Sequence, residues 1–278
     1  MLATESVSGP ADPRLDPFRN IKGQSRRTDG TFVAESELVL ERLFASRIAV
    51  RSILLTPARA ERLTPSLTRF CVADNGEQAI DVFVAEQSII DTVVGYPLHR
   101  GVIAVADRPA ERSVADVLTT ARTVVVLEEV MDPDNVGSVF RHAAGFGVDA
   151  VLLSGPTGDP LYRKTIRTSM GWTLQIPYAR IGVGAALPQL LSDAGFVTLA
   201  LTPSRSADLL STVLRTHSSS GKIAFLLGAE GPGLKASTLA GADHRVRIRL
   251  ADGVDSLNVA TAAAVALYAL VDAHPDRP

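Results

Sequence analysis

The second half of the chain alternates short apolar runs with helical patterns, and this alternation constrains the fold more than any other feature. "RTVVVLEEV" (122–130) and "DAVLLSG" (149–155) are nearly continuous apolar runs, as expected of strands buried on both faces of a parallel sheet. "VGSVFRHAAGFG" (136–147), between them, has helical spacing. Further strands are predicted in 195–203, 222–234 and 244–250. The pattern predicts a doubly wound α/β domain, which usually binds ligands at the C-terminal ends of its strands.

The composition limits the metal chemistry and the partners of the chain. Its 278 residues are enough for two domains. The net charge of −2 gives no general attraction to nucleic acid, so contacts with a polyanion must come from local basic clusters. Cys71 is the only cysteine, which excludes an internal disulfide and argues against a cysteine-built metal site. The five histidines show no metal-like spacing, so no metal is expected.

The sequence carries no signal for a membrane. The N-terminal stretch "MLATESVSGPADP" lacks the basic start and the apolar run of a signal peptide. No apolar run is long enough to span a bilayer. We therefore expect a cytoplasmic protein without a membrane partner.

The first half of the chain is predicted to form a smaller α/β domain over residues 17–107. "FVAESELVLERLFAS" (32–46) has helical spacing, and the runs "VRSILLT", "DVFVAEQSII" and "GVIAVAD" are rich in β-formers. Residues 1–16 are interpreted as a flexible arm, and the basic cluster that follows them could contact RNA or simply be solvated. That cluster consists of Arg19, Lys22, Arg26 and Arg27. Residues 108–121, which begin with "RPAERS", are interpreted as a linker to the domain at 122–278.

Three polar, glycine-containing loops follow three of the predicted strands: "DPDNVGSVFRHA" (132–143), "GAEGPGL" (228–234) and "ADGVDSLN" (251–258). Each has a plain structural explanation. The second could be only a tight turn, Asn135 could be only a turn residue or a helix N-cap, and Ser256 or Asn258 could be only an N-cap. No P-loop and no G-x-G-x-x-G fingerprint is present, so a nucleotide-like ligand would need another kind of site.

Together the three loops resemble the three motifs of the SpoU/TrmH family of SPOUT RNA 2′-O-ribose methyltransferases. The motifs match "DPDNVGSVFRHAAGFGVDAVLL", "FLLGAEGPGL" and "IRLADGVDSLNVATAAAVALY", and "RKTIRTSMGW" (163–172) also looks like a family segment. The resemblance covers about residues 122–271. It implies a C-terminal trefoil-knotted α/β domain with a parallel sheet, a rare exception to unknotted topology. It more weakly implies that the N-terminal α/β domain binds the RNA substrate.

The resemblance also implies S-adenosylmethionine as the cofactor, a homodimer, and RNA as the substrate. Both ribosomal and transfer RNA serve this family, and the full N-terminal domain favours ribosomal RNA. The implied cofactor contacts are Leu227, Gly228, Gly231, Ile248 and Leu257. The implied catalytic and site-forming residues are Asn135, Arg141, Glu230, Ser256 and Asn258. Two residues depart from the family pattern: Arg249 replaces a usual proline, and His142 stands where threonine is common.

Two further interpretations remain at this stage. A knotted RNA-binding protein without catalysis would keep the fold and the dimer, but the complete set of polar residues argues against it. A regulator that binds a small nucleotide would leave the N-terminal domain and the basic cluster without a purpose.

For Arg141, a phosphate clamp is chemically easier than a free base, because a guanidinium stays protonated in proteins.

Overall fold

The computed structural model describes residues 4–19, 21, 27–73, 80–182, 184–216 and 221–275. The chain forms two compact units. The first contains residues 1–109 together with 161–175, and the second contains residues 110–160 and 176–278. The two units therefore share a chain that passes between them three times.

The strands and helices follow one another along the chain within the described residues. The strands are β1 Thr4–Ser6, β2 Thr31–Glu35, β3 Val50–Leu55, β4 Asp81–Val84, β5 Val102–Asp107, β6 Thr123–Glu128, β7 Ala150–Ser154, β8 Tyr178–Ile181, β9 Phe196–Leu201, β10 Asp208–Leu209, β11 Lys222–Gly228 and β12 His244–Arg247. The α-helices are α1 Glu37–Ala45, α2 Pro57–Ala73, α3 Gln87–Val94, α4 Val114–Thr120, α5 Pro133–Gly145, α6 Arg163–Thr168, α7 Leu187–Asp193, α8 Leu210–Thr216, α9 Ala236–Gly241 and α10 Val259–Ala273. Short 3₁₀ helices lie at Pro13–Phe18 and Trp172–Leu174.

The first unit is built on a mixed sheet in the order β1-β4-β3-β5-β2. The flexible arm predicted for residues 1–16 is wrong for its described part. Thr4–Ser6 pair in parallel with Val82–Val84, and the 3₁₀ helix that follows buries Leu15 and Phe18 completely. The two apolar side chains stand singly among proline and charged residues, so they give no periodic signal, although they anchor the segment to the core.

The basic cluster after this segment is only partly described. Arg19 pairs with Asp16, and Arg27 pairs with Asp29, each across 2.7 Å. Lys22 and Arg26 lie outside the described residues. The two described arginines therefore already have carboxylate partners within the unit.

Two further predictions in the first half need correction. The predicted helix over 32–46 begins as strand β2, all five residues of which are buried, and continues as α1. Residues 114–120 of the predicted linker form α4, which starts where the Ser113 hydroxyl accepts a hydrogen bond from the Asp116 backbone N–H. Both errors have one cause, since tertiary burial decides between helix, strand and linker in such short segments.

The segment 161–175 belongs to the first unit although it lies between two strands of the second. Arg163 Nη1 donates to Glu35 Oε1 across 2.7 Å, and both side chains are largely buried. The Arg42 guanidinium lies 4.1 Å from the centre of the Trp172 ring, a cation–π contact. The predicted domain over 122–278 included this segment, whereas the structure places it in the N-terminal unit.

The second unit is a seven-stranded parallel sheet in the order β10-β12-β9-β11-β6-β7-β8. Alternate residues of β6 enter opposite cores, as the period of two in a strand requires. Val125 and Leu127 pack with α5, α8 and α10, whereas Val124 and Val126 pack with α4 and α7. This is the doubly wound arrangement predicted from the sequence. All strands are parallel, so the loops after β6, β9, β11 and β12 emerge at one edge of the sheet.

Candidate active site

A cavity of about 440 Å³ lies at that edge of the second unit, within the size range of small-molecule and cofactor sites. Its walls come from the segments after β9, β11 and β12 and from the start of α10. All five residues predicted to contact a cofactor line it, as do three of the five predicted catalytic residues: Leu227, Gly228, Gly231, Ile248 and Leu257, with Glu230, Ser256 and Asn258. Segments spread over residues 201–262 thus meet around one space, because their strands are parallel.

The chemistry of this cavity suits a nucleoside-containing cofactor. Leu201, Leu227, Ile248 and Leu257 give apolar surface for a flat base, and the loop at 228–233 brings polar backbone groups to the same wall. Among the described residues, no group of three His, Cys, Asp or Glu side chains is arranged to hold a metal ion. The residues present therefore fit S-adenosylmethionine, whose methyl group is already activated by its sulfonium.

The loop after β11 is a closed turn whose two limbs touch. The Gly233 N–H donates to the Ala229 carbonyl across 2.9 Å, and Gly231 and Gly233 have φ of 86° and 72°. A Cβ on Gly228 would lie 2.1 Å from the Gly233 carbonyl carbon and 2.2 Å from the Leu234 nitrogen. The resemblance implied that Gly228 contacts the cofactor. The structure adds a second requirement, since the returning limb of the loop also needs that space.

Gly228→Ala is expected to weaken S-adenosylmethionine binding by about 10-fold or more, because the added Cβ overlaps backbone and the loop must move. Titration calorimetry measures the affinity. Gly182→Ala is the matched control, since a Cβ there meets nothing within 4 Å. Equal affinities of the Gly228 variant and the unaltered protein would show that the loop tolerates displacement.

Asn258 connects the three polar loops. Its Oδ1 accepts hydrogen bonds from the backbone N–H groups of Ala260 and Thr261, so it is the N-cap of α10. Its Nδ2 donates to Asn135 Oδ1 across 2.8 Å and to Glu230 Oε1 across 2.7 Å. One side chain therefore both caps the helix and joins the loops after β6 and β11. The structural and the functional explanations of this asparagine do not compete.

The other predicted polar residues occupy different surroundings. Asn135 is buried in the first turn of α5, and the cap of that helix is Asp132, whose Oδ1 accepts from the N–H groups of Asp134 and Asn135. The interpretation of Asn135 as a cap is therefore wrong. Ser256 is exposed and lines the cavity. Arg141 is exposed on α5 and does not line the cavity.

His142, next to Arg141, is half-buried between α5 and α10. Burial lowers its pKa below the ordinary value of 6.5; the Ala260 backbone opposes this shift and the charge of Arg141 adds to it. The unfolded chain then binds more protons than the folded one. The free energy of unfolding should therefore fall as the pH drops below about 6.5.

Denaturant unfolding of the native chain and of His142→Thr at pH 7 and pH 5 checks this expectation. The substitution should reduce the loss of stability between the two pH values, because the titrating group is gone. An identical pH dependence in both proteins would assign the effect to other residues.

Part of the cavity wall was not predicted from the sequence. Thr202 and Pro203, directly after β9, line the cavity, as does Leu250. The strand pattern did end in "LTP", a turn at the same sheet edge, and this was the available signal.

None of the helices in the described part of the chain combines the length and the apolar character that a membrane span requires.

A parallel α/β sheet with a cofactor-sized cavity at the loops that follow its strands is the arrangement expected of a methyltransferase of the SPOUT class. The chain belongs to the SpoU rRNA Methylase family, whose sequence model matches residues 122–268. The family predicted from the three motifs is confirmed, and so is the enzyme class, a methyltransferase.

Relatives match along nearly the whole chain. The uncharacterized tRNA/rRNA methyltransferase Rv0881 of Mycobacterium tuberculosis is 42% identical over 272 residues, which cover 96% of this chain and 91% of that protein. The 23S rRNA (guanosine(2553)-2′-O)-methyltransferase RlmP of Bacillus subtilis is 26% identical and covers 96% and 99%. The crystal structure of the AdoMet-bound rRNA methyltransferase from Sinorhizobium meliloti has a TM-score of 0.79 at 23% identity, covering 97% and 98%. The non-catalytic alternative finds no support among these proteins.

Proposed function

We propose that this enzyme transfers a methyl group from S-adenosylmethionine to a ribose 2′-OH of ribosomal RNA. The observation that carries the proposal is the meeting of the predicted cofactor residues around one cavity, with the Asn258–Asn135–Glu230 cluster at its wall. Among the relatives that match both units of the chain, Rv0881 is named for both kinds of RNA, whereas RlmP is named as a 23S rRNA methyltransferase, which supports ribosomal RNA over transfer RNA. Ribosomal RNA as the substrate would locate the enzyme in the cytoplasm.

The residues of the cavity have distinct tasks in this proposal. Leu227, Ile248 and Leu257 hold the adenosine part by apolar contact, and Gly228 and Gly231 leave the loop backbone open to it. When bound, S-adenosylmethionine supplies an activated methyl group, so positioning of the acceptor contributes much of the rate.

The polar residues act on the acceptor side. Asn258 fixes Glu230 and Asn135 relative to each other, and Ser256 adds a hydroxyl to the same wall. Arg141, a permanent cation with a two-pronged donor, binds the phosphate beside the reacting ribose, and that phosphate assists removal of the 2′-OH proton. The need for a 2′-OH makes RNA, and not DNA, the substrate.

Methyl transfer from tritiated S-adenosylmethionine to purified ribosomal RNA, transfer RNA and DNA tests the proposal. Label is expected in ribosomal RNA alone. Alkaline hydrolysis then identifies the position, because cleavage of the phosphodiester needs a free 2′-OH and a methylated ribose survives as an uncleaved dinucleotide. Label released in mononucleotides would place the methyl group on a base, and label in transfer RNA alone would give the other substrate.

We further propose that the enzyme is a homodimer that associates through the outer face of α10. The inner face of this helix is buried in the core, but Val265, Tyr268 and Val271 recur every three residues and are 37%, 59% and 40% exposed. Such an apolar stripe on a helix is typical of an interface.

Tyr268→Glu is expected to shift the protein from dimer to monomer, because the substitution places a charge in the centre of this stripe. Sedimentation velocity over a range of concentrations measures the state. Thr212→Glu, on the exposed face of α8, is the control and should leave the dimer intact. A native chain that sediments as a monomer throughout would contradict the proposal.

A further inference from the structure

Glu128, the last residue of β6, is a buried carboxylate without a cationic partner among the contacts that its oxygens make. It is 3% exposed. Its Oε2 accepts a hydrogen bond from the Lys235 backbone N–H, and its Oε1 accepts one from the Thr238 hydroxyl, each across 2.8 Å. Burying a carboxylate is costly unless it is well hydrogen-bonded, so a buried side chain of this kind calls for an explanation.

The two donors stand at the point where the loop after β11 ends. That loop runs from Gly228 to Leu234, and Lys235 follows directly as the N-cap of α9. Gly228 is itself the strand partner of Glu128, in the register of β11 with β6. Glu128 therefore lies beside the start of the loop and holds its end.

Further contacts restrict the conformation of the loop after β11. Leu234 is buried in the core, and the limbs of the loop touch at Gly228 and Gly233. The same loop supplies five residues to the wall of the cavity, from Gly228 to Gly231 and Gly233. A shift of its C-terminal end therefore changes the shape of the cavity wall.

We propose that Glu128 is a positioning residue that holds the cofactor loop in its binding-competent conformation through the Lys235 amide and the Thr238 hydroxyl. This inference rests on the proposed function, since it assigns the cavity to S-adenosylmethionine. Without Glu128 the loop populates other conformations, and the apparent dissociation constant rises in inverse proportion to the fraction of molecules that remain competent to bind.

The neighbouring carboxylate provides a matched control. Glu129 Oε1 pairs with Lys235 Nζ across 2.6 Å, but both side chains are substantially exposed, at 36% and 52%. An exposed ion pair contributes little to stability, so Glu129→Gln should change the affinity for S-adenosylmethionine by less than about twofold. A comparison of substitutions at Glu128 and at Glu129 thus distinguishes the buried hydrogen bonds of Glu128 from simple charge attraction between Glu129 and Lys235.

Calorimetric titration of the full-length protein with S-adenosylmethionine, at a temperature where every variant is folded, tests the proposal. Glu128→Ala should raise the dissociation constant by about 10-fold, because a buried amide and a buried hydroxyl lose their acceptor. Glu128→Gln should remain within about threefold of the native protein, since its amide can accept from Lys235 and donate to the Thr238 oxygen. The KM for S-adenosylmethionine should rise in parallel, with the KM for RNA unchanged.

A Glu128→Ala protein that is folded and binds with native affinity would overturn the proposal, even if its melting temperature were lower. If that variant does not fold, Thr238→Val decides, with an expected rise of about threefold and an unchanged affinity as the contradicting result. A native protein that bound no S-adenosylmethionine would instead contradict the proposed function. The two failures are therefore distinguishable.

Discussion

Arg141→Ala is expected to lower methyl transfer to RNA by about 100-fold or more while leaving the affinity for S-adenosylmethionine within about twofold of the native value. The position of Arg141 explains why methyl transfer should be lost while cofactor affinity is kept. Arg141 is exposed on α5 and does not line the cavity, so its loss removes no cofactor contact. It follows Asn135 by six residues on the same helix, and Asn135 is tied to the cavity wall through Asn258. In the proposed function, this cation contacts a phosphate of the bound RNA.

Arg141→Lys separates charge from geometry. Lysine keeps the charge but lacks the planar, two-pronged donor, so this variant should recover only a small part of the lost rate. Single-turnover assays with saturating cofactor measure the transfer step, and calorimetry measures cofactor binding. Arg215→Ala, which removes an exposed arginine of α8 in the same unit, is the control and should remain fully active.

The outcome that contradicts this role is a dimeric Arg141→Ala protein with near-native turnover. Sedimentation is measured alongside, because a variant that loses activity only by failing to dimerise would assign Arg141 to the interface and not to the reaction.

Asn258→Asp is expected to abolish most activity while preserving the helix that this residue caps. The new carboxylate can still accept from the Ala260 and Thr261 amides, and aspartate is as good an N-cap as asparagine. It cannot donate to Asn135 or to Glu230, whose carboxylate would face it across a gap of about 2.7 Å. Two carboxylates so close repel each other, so the loops after β11 and before α10 should separate and the cavity wall should open.

The pH dependence identifies the cause. Protonation of one of the two carboxyl groups restores a donor between them, so the loss of S-adenosylmethionine affinity in Asn258→Asp should become smaller as the pH falls from 8 to 5. Asn258→Ala lacks both the cap and the donor; it should lose about 1 kcal/mol of stability and show no such recovery. Calorimetry across this pH range and thermal unfolding of both variants make the comparison. Native affinity in Asn258→Asp at pH 8 would show that the connection between the loops is dispensable.

Much of the second unit was predictable because its signals are local. Continuous apolar runs identify buried parallel strands, and the carboxyl ends of parallel strands must share an edge. The runs at 122–130, 149–155, 195–203 and 222–234 each contain a strand of the sheet. The sequence alone therefore predicts that Gly228, Glu230 and Asn258 lie near one another, and the three motifs identify the family.

In the first unit, local sequence patterns did not predict the structure of several segments. Leu15 and Phe18 carry no period, and yet they are completely buried and hold the predicted arm in place. The stretch 32–35 has apolar residues that fit a helix equally well, and pairing with β5 makes it a strand. The segment 161–175 packs with the first unit through contacts such as Arg163 to Glu35, between residues 128 positions apart. Spacing within a segment carries no information about such partners.

The sequence by itself determined the parallel sheet, the loops at its edge and the residue types that meet there. Continuous apolar runs predict buried strands, and the alternation of strands with helices predicts that the strands are parallel. Only the tertiary structure decided how these residues are held. Asn258 reaches Asn135 across 123 positions, and Glu128 reaches Lys235 across 107. Whether a polar side chain at such a distance caps a helix, joins two loops or clamps a third depends on contacts that form only when the chain is folded, since a hydrogen bond is fixed by distance and direction in space.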